Sequence, residues 1–368
     1  MTKMLEGGKI GARQFGILIV YYTIGTTILI IPSGMAAVSK QDAWIAAFIA
    51  TGIGLSTVWL YNAVGNLFPR MTLIGMNEQL FGKWLGKTVS LLFVAWSLTA
   101  AAQVLYYIGD FMTTHIMPET PIQSLNIMFM IIVVMGVRLG LEPLARTAEL
   151  FFPWFLLLFI VFILAISPQF KFENIQPLFE TGVKPIIRST LFFLSFTSMT
   201  LIVCLMLFPA YVSKPRQARK AFYVGNFVGL LMMFIVIATN ILVLGADQTA
   251  GTIYPSYQLA KKISLATFIQ RVEAIMAFLW FITIYFKITM YFYAAVLGLA
   301  QTLKLKDYRA LTLPLGMIAV VLSLVVYPNT AYLKKWNMEI WLPDILIVGL
   351  LYPLLLLGLG KLRNHGKG

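Results

Sequence analysis

Charge is the scarcest property of this sequence. Asp, Glu, Lys and Arg together make up 11% of 368 residues, and 60% of the chain is apolar; soluble domains carry about a quarter charged residues. A water-soluble core cannot absorb that much apolar surface, which excludes a soluble enzyme or binding domain. The single cysteine, Cys204, lies in an apolar run and cannot close an intrachain disulfide. With only two histidines, His115 and His365, zinc hydrolysis and Ser-His chemistry lack their parts. Gly109 and Asp110 present one aspartate without the second that an acid-base pair requires. No enzymatic activity, cofactor or metal is expected.

What the chain has instead is apolar runs, each long enough for a helix to cross about 30 Å of hydrocarbon. They fall at roughly 12–31, 43–65, 88–113, 121–138, 144–167, 186–209, 219–244, 268–301, 310–328 and 343–361. The expected fold is an all-α polytopic membrane protein of about ten transmembrane helices, in one domain covering 1–368. The longest connections, 66–87, 168–185 and 245–267, are too short for a globular domain. The first run is read as an uncleaved span, being too long for a signal peptide. Residues 72–86 are only moderately apolar between Arg70 and Lys87 and suit a short helix lying on the membrane surface. Trp44, Trp84, Trp336 and Trp341 fall near expected span ends, where aromatic belts form.

The net charge of +14 is a matter of position. Eighteen of the 28 Lys and Arg lie in segments on the side of the termini, nine lie on the other side, and Lys287 alone lies inside a span. The positive-inside rule then puts both termini in the cytoplasm. Topology and anionic lipid account for the basic balance, and no nucleic-acid partner is implied.

Helix breaks at membrane depth survive only where they line a protected cavity. The first span carries Gly25 followed by Thr26 and Thr27 near its middle; the sixth carries Ser195, Thr197, Ser198 and Thr200 at similar depth. Spans one and six are corresponding members of two five-helix halves, and paired interruptions of this kind mark transporter binding sites. The same residues also serve elsewhere as packing glycines and interhelical hydrogen bonds. Lys287 stands 16 positions from Arg271 and 17 from Lys304, too deep to snorkel to either surface. A midplane charge costs about 3 kcal/mol, so Lys287 should face the bundle interior. There it is expected to act as an internal cation that replaces a coupling ion or touches substrate, or to be a lysine held neutral or paired for structure.

Residues 140–149 read Gly-Leu-Glu-Pro-Leu-Ala-Arg-Thr-Ala-Glu, with Phe152 and Pro153 following. Phe68 and Pro69 precede Thr-Leu-Ile at 72–74; 82–87 read Gly-Lys-Trp-Leu-Gly-Lys; 175–178 read Ile-Gln-Pro-Leu, with Gly182 and Pro185 opening span six. Together these resemble the B subunit family of spore germination receptors, within the amino acid, polyamine and organocation transporter superfamily. The resemblance implies a five-plus-five inverted repeat, about 12–167 and 186–361, with helices 1 and 6 discontinuous. It also implies a nutrient germinant sensor binding a small amino acid or similar nutrient in a midplane pocket. The implied partners are an A-type membrane subunit and a C-type lipoprotein subunit, and the implied location is the spore inner membrane. Carried over by position, the pocket would use Gly25, Thr26 and Thr27 with Ser195, Thr197 and Ser198, walled by Trp96, Tyr285, Lys287 and Tyr291. Glu142, Arg146 and Glu149 are expected to serve structure or partner contact. The alternative is a proton-coupled or ungated amino-acid transporter using the same pocket.

Overall fold

The computed structural model describes residues 7–262 and 273–365. The expected start of the eighth span at 268, with Arg271, and the terminal Lys3 and Lys367 lie outside the described residues. Each apolar run becomes helix, since a helix satisfies its own amides and carbonyls in hydrocarbon. No named strand occurs among the described residues; one isolated bridge pairs Ile10 with Val212.

Among the described residues eight helices are long and apolar enough to cross a membrane, and the helices group into the ten expected crossings as follows. The first is made of α1 (Ala12–Ile24) and α2 (Thr27–Ser39), and α3 (Ala43–Leu67) returns after a tight turn at Lys40–Asp42. Then follow α4 (Leu73–His115), α5 (Ile122–Leu139) and α6 (Leu141–Ile166). The sixth crossing is α7 (Val183–Phe196) continued by a 3-10 stretch, Met199–Met206; the seventh is α8 (Pro215–Leu244). Two short helices, α9 (Ala246–Gly251) and α10 (Pro255–Lys261), precede α11 (Glu273–Thr302) and α12 (Thr312–Val325). The last crossing joins α13 (Thr330–Lys335), α14 (Trp341–Leu346) and α15 (Tyr352–His365) through two π-helical segments, Trp336–Ile340 and Ile347–Leu351.

α4 is two helices meeting at Gly82, whose φ of 79° lies in the left-handed region that favours glycine. Its first part matches the short helix expected at 72–86. The last crossing begins at Thr330, thirteen residues before the sequence reading placed it. The charged run around Lys334 and Lys335 looks like loop in sequence, yet in the structure it opens the helix. That moves Trp341 from a membrane interface into the interior, where it is 5% exposed; Trp84, at 82%, stays fully outside.

Contacts fix the two ends of the bundle. At the end of the termini, Glu149 joins Arg13 at 3.3 Å and accepts from Gln14 at 3.1 Å, and Glu142 pairs with Arg146 one helical turn along. Lys304 reaches Glu78 there, and Thr72 donates to Gln301. At the other end, buried Asp42 accepts from Phe179 N at 2.8 Å and from the amide and hydroxyl of Thr181, while Gln41 donates to Pro177 O. The recognisable segments at 140–149 and 175–182 are therefore fastenings of the two ends. Among the spans, the broken sixth is the most enclosed, and α5 and α6 are peripheral.

Candidate functional site

Span one breaks where the backbone turns away at Gly25 (φ 18°, ψ −114°), with its amide donating to Tyr21 O at 2.8 Å as the last bond of α1. Span six breaks one residue after Phe196, at Thr197 (φ −105°, ψ −82°). Each break leaves helix-end carbonyls on one side and helix-start amides on the other without intrahelical partners. Lys287 of α11 reaches across both. Its stem lies against Gly25, and its Nζ donates to Phe196 O at 2.9 Å, 5.2 Å from the Tyr22 ring centroid. Lys287 is 2% exposed and takes part in none of the ion pairs among the described residues.

Around it, the Tyr22 hydroxyl donates to Thr200 O, and the Tyr22 and Tyr291 rings stand 5.3 Å apart. Trp96 lies edge-on to Tyr291 and donates its indole N–H to Asp344 at 2.9 Å. Ser97 ties the Tyr291 carbonyl to α4.

A cavity of about 20 Å³ opens here, room for roughly one water. Thr26, Phe196, Thr200, Lys287 and Tyr291 line it with Gln103 and Tyr107 of α4, Tyr327, Asn337 and Trp341. Toward the end opposite the termini, a larger cavity of about 220 Å³ lies between α2, Phe192 and the start of the last crossing. Tyr107 and Asn337 line both. The Tyr107 hydroxyl sits 2.8 and 3.0 Å from the nitrogen and oxygen of the Asn337 amide, closing the wall between the cavities. Tyr107→Phe leaves that amide without its partner in a buried place. The expected cost is about 1–3 kcal/mol, read as a lower melting temperature of the purified chain. A Thr26→Cys probe in that background should react faster with a thiol reagent; an unchanged rate would mean the pair is not the barrier.

The sequence-predicted residues divide accordingly. Thr26, Lys287 and Tyr291 line the small cavity, and Gly25 makes room for the lysine. Thr27, Ser195 and Thr197 turn their hydroxyls to carbonyls of their own spans, those of Thr23, Phe192 and Phe193. Ser198 bonds Asn226 of α8. Trp96 stands behind Tyr291, and Tyr285 packs toward Gly136 of α5, away from the cavity lining. Gln103, Thr200, Asn337, Trp341 and Asp344 were missed. For Thr200 the hydroxyl cluster on span six was the available signal; for Asp344, its being a carboxylate beside an apolar run.

What converges is two helix breaks, one ammonium, hydroxyls and amides, and aromatic walls, the composition of a small-molecule binding site. A family model described as spore germination protein matches residues 9–331. The chain belongs to the spore germination protein family. Among its relatives, spore germination protein KB of Bacillus subtilis (strain 168) is 28% identical over 374 residues, covering 99% of each chain. Spore germination protein GerLB of Bacillus cereus is 26% identical, covering 98% of this chain and 96% of that one. The solved structure of MhsT in complex with L-phenylalanine superposes with a TM-score of 0.66 at 13% identity, over 91% of this chain and 87% of that one. Mhp1, a nucleobase-cation-symport-1 family transporter in a closed conformation with bromovinylhydantoin bound, gives 0.65 at 12%, over 93% and 79%. Identities this low show a shared fold. Family membership and the all-α polytopic fold expected from sequence are thus borne out.

Proposed function

We propose that this chain is the nutrient-sensing subunit of a spore germination receptor and that the cavity at the two helix breaks receives a small amino acid or similar nutrient. The observation that carries the reading is the meeting of both broken spans with Lys287 at one small cavity. The site residues of this reading are Gly25, Thr26, Lys287 and Tyr291, together with Thr200, Gln103 and Asn337, which line the same cavity. With room for about one water, the site must widen to admit a nutrient. A ligand that binds the widened arrangement more tightly raises its population, and the halves 12–167 and 186–361 shift against each other. In this reading an A-type membrane subunit and a C-type lipoprotein subunit respond, in the spore inner membrane, with both termini in the cytoplasm.

The second reading, an amino-acid transporter, is favoured by the 220 Å³ cavity stacked beyond Tyr107 and Asn337, which would serve as an access route. Nutrient-triggered dye release from spores lacking the gene, across a panel of amino acids and sugars, separates the two. Loss of response to particular nutrients with normal vegetative uptake is the expected result. An unchanged response with lost uptake would replace the sensor by the transporter.

A further inference from the structure

The amine of Lys287 has no acidic partner among the described residues, in a place that is built around it. Of its three hydrogens, one goes to Phe196 O, its one hydrogen-bond acceptor among the described residues, and one side lies over the Tyr22 ring. The cavity lining contains no Asp or Glu. Asp344, reached through Tyr291 and Trp96, is engaged by the Trp96 indole and is not part of the lining. A buried charge with only neutral partners is costly, and the cost falls when an opposite charge arrives with good geometry. The sign of the rest of the site agrees. Thr26 sits at the start of α2, the end where a helix favours anions, while Phe196 O closes α7, the end that favours cations. Of the two helix ends that favour cations, α1 contributes no residue to the lining and the Phe196 carbonyl of α7 is already taken by Lys287, so an incoming amino group finds no free helix-end acceptor in the lining.

We infer that the Lys287 ammonium is the docking group for a ligand carboxylate, and that the pocket takes small carboxylates whose amino group, where present, is dispensable. The inference rests on the reading of this cavity as the nutrient site and narrows its ligand class. A ligand carboxylate would face the free hydrogens of Lys287 beside the Thr26 hydroxyl, with its apolar part toward Tyr291 and Trp341.

The test uses the purified full chain in detergent with matched trios: alanine, propionate and alaninamide; valine, isovalerate and valinamide. Ligand-induced rise of the melting temperature, titrated to an apparent Kd, is the readout, with sodium chloride as the anion control. The amino acid and the plain acid of at least one trio should bind within about tenfold of each other, and the amide about 100-fold more weakly. Lys287→Met keeps a stem of similar length against Gly25 but no charge; it should bring acid and amide to equal affinity. Because the wild-type panel decides by itself, poor folding of the variant does not rescue the idea. Amides binding as well as acids, acids without an amino group failing, chloride matching the acids, or no member binding would each overturn it. Failure of the sensor reading looks different: carboxylates bind the chain, yet spores lacking the gene germinate normally.

Discussion

Gly25→Leu should abolish ligand binding and nutrient-triggered dye release, and Gly25→Ala should weaken both. A β-carbon added at position 25 would stand 2.2 Å from Cδ, 2.9 Å from Cβ and 3.1 Å from Cγ of Lys287. The lysine Cβ is fixed by α11, so a rotamer change cannot clear the whole clash, and overpacking of this kind costs about 1–3 kcal/mol. Combining Gly25→Ala with Lys287→Ala removes the crowding stem. The double variant should melt above the sum of the two single losses by about 0.5–3 kcal/mol. Additive losses would show that the glycine serves the backbone turn alone and has no bond of necessity with the lysine.

The second large effect falls on Trp341. Its ring lies 5.1 Å from that of Phe196 and walls the small cavity, with 5% of the residue exposed. Truncation of such a side chain costs about 3–5 kcal/mol, so Trp341→Ala should lower the melting temperature severely. The indole N–H has no hydrogen-bond partner among the described residues, and Trp341→Phe, which loses area only, should cost under about 1.5 kcal/mol. A small loss for the alanine variant would return Trp341 to the membrane interface.

That contrast also shows where sequence reading ends. The break in span one is legible because a glycine followed by two threonines interrupts an apolar run, and Lys287 is legible because no neighbour shares its charge at that depth. The break in span six carries no glycine; its hydroxyl residues announce it, but those of Ser195, Thr197 and Ser198 turn to Phe192 O, Phe193 O and Asn226, and only Thr200 lines the cavity. Periodicity cannot tell such self-bonding from ligand contact, since both fit the same hydropathy. The last crossing misleads for another reason. Lys334, Lys335 and Glu339 make its first turns polar, so the apolar window opens late and Asn337, Trp341 and Asp344 look like surface. Their depth becomes visible only when helix begins at Thr330 and packs Asn337 on Tyr107.

The division of span one gives its two parts different company. α1 packs chiefly on α8, α11 and α6, while α2 packs on α7, α9 and α10. A continuous helix would carry any tilt from one end to the other; the break at Gly25 leaves α1 and α2 free to tilt separately in the proposed sensing. The arm formed by α1 is about 20 Å long and starts at Arg13 and Gln14, which grip Glu149. Under the proposed sensing, a tilt of α1 that is small beside Lys287 would be largest at the far tip of that arm, where Arg13 and Gln14 hold Glu149.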